Sequence, residues 1–317
     1  MKKSFLLTLL FINALNCISQ VKYSSSFNII NDNDLYISTS QDRYYTNGVF
    51  LSYNYMSKKA SEDQLKKIYS IQLGQRMYSP FKANVRDIRE HDRPFAAYLY
   101  AGFGFRNFYK NNTYFGLSGE IGVIGPSAFG EESMEFVHNI YGFAPATGWK
   151  YQIKDAFALN FKAEYLKELT ASSNKYFDLN WKNEATLGTV FTDVSTGFHG
   201  RIGIKPLQKA ANSVAFNSNL NNDATETNNE KELFFYINPM LRYTLYDATI
   251  EGSFLNDNSI ITYDVRPLVL TTEVGFWFTT NRFNFKYMIV HHTKKLESEN
   301  VSRHNFYGGI QINYLFN

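Results

Sequence analysis

His138, and the run Asn31-Asp32-Asn33-Asp34 with Asp42-Arg43-Tyr44-Tyr45-Thr46-Asn47-Gly48 after it, are the residues of this 317-residue chain whose types and neighbours could do chemistry. A neutral imidazole can take a proton from water near neutral pH, because its reference pKa is about 6.5. Carboxylates surrounded by amides and hydroxyls can hold Ca²⁺, which takes oxygen ligands. Each feature also has a plain alternative. A single histidine on a buried helix face is commonly a hydrogen-bonded core residue, and Asn and Asp gather in turns for local hydrogen-bonding reasons. The Asx run lacks the acidic ladder of an EF-hand. No nucleophile-elbow serine, HExxH or paired-cysteine motif accompanies either feature. His291 and His292 alternate across one expected strand, which favours packing over metal binding. His91, His199 and His304 have no partner evident in the sequence.

Both features need elements to position them. Met134, Val137, His138 and Tyr141 fall at i, i+3, i+4 and i+7, which predicts a short helix with Glu131 and Glu132 in its first turn and Gly142 as its terminator. Around it the chain alternates with period two, as in Phe157, Leu159, Phe161, Ala163 and Tyr165 against Ala158, Asn160, Lys162 and Glu164. The same alternation recurs in Tyr69 to Met77, Leu268 to Phe278, Phe283 to Ile289 and Ile310 to Phe316. About 12 such segments are expected, the even number that suits an all-β, closed antiparallel transmembrane β-barrel with one short helix between two strands. Alternation alone does not say which face is outside, and a secreted β-sandwich shares the pattern. Arg, Lys and Glu in mid-strand decide for the membrane, since a barrel lumen there is polar by construction. Aromatics at Tyr307, Tyr314 and Phe316 in the last strand add to that reading.

Lys2 and Lys3 precede the apolar run Phe5 to Leu15, which reads as a signal peptide over residues 1–19, with the barrel domain over 20–317. Cleavage after Ser19 would remove Cys17, the chain's one cysteine; a lipoprotein reading of Cys17 is the weaker choice, because Asn16 precedes it. The aromatic content of 17% and net charge of +3 exclude a disordered chain, and the absence of a basic tract leaves nucleic-acid binding without support. Lys209 to Lys231, rich in Asn and poor in apolar residues, is expected to be a mobile surface loop; Ser57 to Gln64 and Asn256 to Ser259 read as shorter turns.

Taken in order, Asn33-Asp34, Tyr45-Thr46-Asn47-Gly48, Tyr78-Ser79-Pro80, Asp92-Arg93-Pro94-Phe95, Gly122-Val123-Ile124-Gly125-Pro126 and His138 with Gly148-Trp149 and Gln152 resemble the outer-membrane lipid A 3'-O-deacylase family of the LpxR type. The likeness runs from about Phe27 to Ile153. It implies a Ca²⁺-dependent outer-membrane esterase that removes the 3'-linked acyloxyacyl chain of lipid A, working as a monomer on the outer barrel wall. It implies His138 as the base that activates water, Asp34 with Asn33 and Thr46 at the Ca²⁺ ion, and Arg86 at a lipid A phosphate. Three positions depart from the family pattern. Val85 stands where a lysine is expected, Met134 where a Gln is expected, and Ala144 where an acidic residue can follow the helix. Two other readings stay open: a phospholipase using the same site, and a non-catalytic pore or structural barrel in which the helix is a plug.

Overall fold

The computed structural model describes residues 22–37, 43–58, 61, 63–81, 84–85, 87–170, 174–222, 225 and 231–317. The expected leader therefore lies outside the described residues, as do Asp42, Lys82 and Arg86. Twelve strands form: β1 (Ser25–Asn33), β2 (Tyr44–Met56), β3 (Gln64–Ser79), β4 (Ala96–Tyr109), β5 (Thr113–Ile124), β6 (Ala156–Glu168), β7 (Phe177–Gly188), β8 (Phe191–Gly203), β9 (Leu233–Asp247), β10 (Leu268–Thr279), β11 (Phe283–Thr293) and β12 (His304–Phe316). Each pairs antiparallel with the next, and β1 closes on β12 with Ser25 opposite Phe316 and Asn33 opposite Gly308. Closure leaves no unpaired edge, which is the condition for crossing a hydrocarbon layer with strands.

The two faces settle which side is out. Phe157 and Phe161 of β6 are exposed, while Asn160 between them is buried. Lys162 and Glu164 point inward, where Lys162 pairs with Glu164 at 2.9 Å and with Glu184 at 3.4 Å. Lys182 and Glu184 meet at 2.8 Å, as do Lys286 and Glu273. An apolar exterior around an ion-paired interior is the membrane arrangement and excludes the soluble sandwich. One aromatic differs from expectation. Tyr307 turns into the lumen and meets the Tyr45 ring edge-on at 4.5 Å, because Gly308 beside it resets no register and the alternation places Phe306 outside. His291 is half-buried on the outer face and His292 buried within, as their alternation requires.

Chain start and end share one rim. Connections at that rim are short at 110–112 and 280–282, whereas those at the opposite rim are long at 80–95, 125–155 and 248–267, so the terminal rim is periplasmic. The connection at 204–232 breaks this rule and corrects the expectation of a mobile surface loop. Its residues 209–222 fold up into the lumen. The Lys66 ammonium donates to Asn212 Oδ1 at 2.8 Å, Ser218 O at 3.0 Å and Asn221 Oδ1 at 3.1 Å. Arg106 donates to Phe216 O at 2.9 Å, and Asn217 Oδ1 accepts from Gln311 and Asn313, both at 3.2 Å. Phe216 and Leu220 are buried among Tyr23, Ile68, Phe108 and Leu166. Low apolar content does not preclude burial here, because a polar lumen supplies hydrogen-bond partners.

At the outer rim, Arg93 donates to Thr249 O at 3.0 Å, and Tyr44, Ile250, Leu296 and Val301 form an apolar lid. Between the closures lie two polar cavities of about 160 and 260 Å³. The interior is thus filled rather than open, which counts against the pore. Purified protein in a planar bilayer should give no steady conductance. Arg201, buried, clasps Asp178 and donates to Gln208 O at 2.8 Å in the plug. Arg201→Ala leaves a buried carboxylate unpaired and should cost about 3–5 kcal/mol in urea unfolding from lipid vesicles.

Candidate functional site

The segment between β5 and β6 forms a turn of 3-10 helix at Pro126–Ala128 and then the helix α1 (Gly130–Tyr141), as the spacing predicts. Gly142 ends it at φ 72°, a left-handed conformation that glycine adopts without strain. The helix lies on the outside of the barrel. Met134 is buried with Phe95, Ala146 and Trp149 over Ala97, Leu99 and Val123, which are outward positions of β4 and β5. Gly130 touches the wall so closely that a Cβ there would stand 2.5 Å from Ala97 Cβ. The helix is therefore not a lumen plug. Its other side carries Phe136 and Ile140, 68% and 64% exposed, which face the lipid. In its first turn, partial burial and then the neighbouring Glu135 and Glu132 push the Glu131 carboxyl above its ordinary range.

His138 is buried at the barrel side of α1, with its ring edge-on to Phe143. Its Nδ1 lies 2.7 Å from Ala144 O. A carbonyl only accepts, so Nδ1 carries the hydrogen and the neutral ring keeps its lone pair on Nε2. The Ala144 departure thus loses a side-chain carboxylate but keeps an acceptor, supplied by the backbone. The Met134 departure is likewise filled: its thioether accepts the Trp149 indole N–H at 3.3 Å. Val85 is buried, and its carbonyl accepts from Thr147 Oγ1 at 3.2 Å. Among the other histidines, His304 Nδ1 is 2.9 Å from His291 Nε2, His91 Nδ1 is 3.1 Å from Ile88 O, and His199 stacks on Tyr236 inside the lumen.

The Asx run forms the facing corner. Asn33 ends β1 and caps a 3-10 turn at Asp34–Tyr36, its Oδ1 accepting from Leu35 N at 2.8 Å. Asp34, 3% exposed, accepts from Arg43 N at 2.7 Å, which ties the turn to the start of β2. There the β2–β3 register slips between Tyr45 and Asn47. The bulge makes Thr46 the extra residue, so Tyr45 turns in to donate to Asp32 at 2.9 Å while Asn47 turns out. Thr46, buried, donates to Met77 O at 3.5 Å. Asn31 donates to Gly48 O at 3.1 Å and accepts from Tyr36 at 2.5 Å.

Helix and corner face one another across a groove of about 690 Å³ in the outer wall. Val49, Leu51, Leu73 and Leu99 form its apolar floor, and Phe129, Phe136 and Val137 form one lip. Asn31, Asn33 and Asn47 line its polar end. Asp34, Thr46 and His138 do not line it, but their chain neighbours Asn33, Asn47 and Val137 do, so one groove joins the two segments that the sequence singles out. Gln75 and Tyr36 also border it and carry no role in the sequence reading, while Asn31 and Asn47 figure there only as members of the Asx run and of the segment after it. Their signal is a polar side chain at a position where the alternation puts lipid. Among the described residues no three His, Cys, Asp or Glu side chains converge as a metal site. A cation at the corner would rest on the Asp34 carboxylate with amide, hydroxyl and backbone oxygens, a hard donor set that fits Ca²⁺.

A family model described as outer membrane protein LpxR matches residues 5–316. Among solved structures, LpxR from Salmonella typhimurium is similar over 92% of this chain and 100% of its own, with 21% identity and a TM-score of 0.73. The β domain of the Bordetella autotransporter BrkA covers 93% of this chain and 99% of its own at 7% identity, with a TM-score of 0.45. The translocator domain of the autotransporter NalP from Neisseria meningitidis covers 99% and 96% at 10% identity, with a TM-score of 0.40. No curated protein matches.

Because Gly130 meets Ala97 and Trp149, Gly130→Val should push α1 off the wall at a cost of about 1–3 kcal/mol of local stability. Amide exchange across 130–141 should accelerate, with the strands unchanged.

Proposed function

The chain belongs to the LpxR family of outer membrane proteins, and from that premise we propose that it is a lipid A deacylase whose site is the groove between α1 and the Asn33–Thr46 corner. The observation that carries the reading is that single groove, which brings the helix of His138 and the corner of Asp34 to one stretch of lipid-facing wall. A substrate with its acyl chains in the outer leaflet reaches such a wall sideways, without passing through the filled lumen. Leu51, Leu73 and Leu99 receive an acyl chain, and the Asn-lined end receives the ester and its sugar. The bond cut is the ester that holds the 3'-linked acyloxyacyl chain.

His138 takes a proton from water at Nε2 as the water oxygen attacks the ester carbonyl. Ala144 O holds the ring in that tautomer throughout, which keeps the lone pair aimed and steadies the imidazolium that forms. Asn33, Asn31 and Asn47 offer amide groups at the polar end to orient the carbonyl. Asp34, Asn33 and Thr46 would hold Ca²⁺, and the ion when bound supplies Lewis-acid stabilisation of the developing oxyanion. His138 then returns its proton to the sugar oxygen as the tetrahedral intermediate collapses to a free fatty acid. Water as nucleophile agrees with the missing serine motif. Arg86 stands in the reading as the partner of a lipid A phosphate, a role that lies outside the described residues.

Mass spectrometry of lipid A from cells that express the chain tests the reading. Wild type should remove the 3' acyloxyacyl chain, and a Ca²⁺ chelator should stop it. His138→Ala should slow cleavage by about 10²–10⁴-fold, the usual contribution of a general base. Asp34→Ala should lower it and raise the Ca²⁺ concentration needed. A folded wild type that leaves every lipid A intact would sink the proposal.

A further inference from the structure

The outward face of β3 runs Tyr69, Ile71, Leu73, Gln75 and Met77, so Gln75 puts a primary amide into an apolar row on the lipid side. A donor with no partner there would be costly. Gln75 Nε2 instead donates to Ala128 O at 2.7 Å and to Phe129 O at 3.2 Å. Those carbonyls mark the joint where the 3-10 turn becomes α1. Phe129 sits there in the left-handed region at φ 57°, a conformation that a bulky residue seldom adopts, and the helix start has no side-chain cap. Phe129 O also accepts the first helical bond, from Ser133 N at 3.1 Å.

Two residues along the same strand, Met77 O accepts from Thr46 and Met77 is registered opposite Asn47. One strand thus grips both halves of the groove, the helix at Gln75 and the corner at Met77. We propose that Gln75 is a positioning residue, which fixes α1 at a set distance from the Asn33–Thr46 corner and so governs the rate of cleavage in bound substrate. The proposal rests on the deacylase reading. Gln75 touches the backbone of the joint and acts on the reaction through the helix that bears His138.

The test compares wild type with Gln75→Leu and Gln75→Glu, purified in vesicles that contain lipid A. Gln75→Leu keeps the floor apolar and removes both hydrogen bonds. Its kcat should fall about tenfold to a hundredfold, the scale of a misplacement near 1 Å, with KM changed by less than about threefold. Gln75→Glu should be slower still at pH 8, where a carboxylate faces two carbonyls. It should recover relative to wild type as the pH falls and the protonated carboxyl regains one donor. Amide exchange in residues 129–136 should accelerate in Gln75→Leu while the strands hold. Unchanged exchange there overturns the clamp, whatever the activity; faster exchange with unchanged kcat overturns its effect on the reaction. A wild type inactive on lipid A removes the deacylase reading and the catalytic part of the proposal with it, and the exchange result still decides the clamp.

Discussion

A wall that faces hydrocarbon must hide every polar group it carries, and most of this molecule follows from that condition. Backbone groups are hidden by closing twelve strands into a ring, with β1 on β12. Side chains are hidden by alternation, which sends Lys162, Lys182 and Glu184 inward to neutralise one another. Where an outward position is polar, something covers it or satisfies it. Trp181, Thr196 and Asn183 do so among themselves, through bonds of 3.0 and 2.8 Å. Asn31, Asn33, Asn47 and Gln75 instead gather along the groove that α1 borders. A stretch of lipid-facing wall made polar and bordered by a helix has the character of a site, because strand structure alone gives no reason for it.

The helix is held by few interactions. A helix of 12 residues is marginal by itself in water. This one begins without a side-chain cap and depends on tertiary contacts: Met134 under Trp149, Gly130 against Ala97, and the Gln75 clamp. Its lipid side, Phe136 and Ile140, adds a second anchor, since those residues would be costly to turn toward water. The helix is therefore bound on two sides by apolar contact and at one end by hydrogen bonds. Such an element opens more readily than the strands below it.

The parts of the molecule readable in the sequence are those that depend on short-range periodicity. Period two gives the strands from Phe157 to Tyr165 and from Ile310 to Phe316, and spacing at i, i+3 and i+4 gives α1 with Gly142 at its end. What stays hidden depends on partners far apart in the chain. The plug at 209–222 looks like a solvated loop because its residues are small and polar. Its stability comes from Lys66, Arg106 and Gln311, on strands that lie some hundred positions away. The groove was half legible. Asp34 and His138 stand out by type, whereas Gln75 and Tyr36 gain meaning only when the barrel shows which face meets lipid. Tyr307 illustrates the same limit, since its ring packs inside on Tyr45.

The two departures around His138 have different consequences for the chemistry. Met134 exchanges a polar neighbour for a thioether buried under an indole, which firms the helix against the wall. Ala144 exchanges a charged orienter for a backbone carbonyl. The carbonyl fixes the tautomer as firmly, because its position is set by the turn after Gly142 rather than by a side-chain rotamer. It differs in charge. A carboxylate on Nδ1 favours the imidazolium as a full opposite charge, and a neutral carbonyl favours it less, through its dipole alone. In the proposed deacylase, His138 is therefore a base whose ring is held in one tautomer and whose cation is modestly stabilised. In a dry groove, where electrostatic terms are amplified, more of the oxyanion's stabilisation then falls to the opposite corner. On that proposal the distance between helix and corner is the quantity on which the reaction depends, and β3 is the element bonded to both.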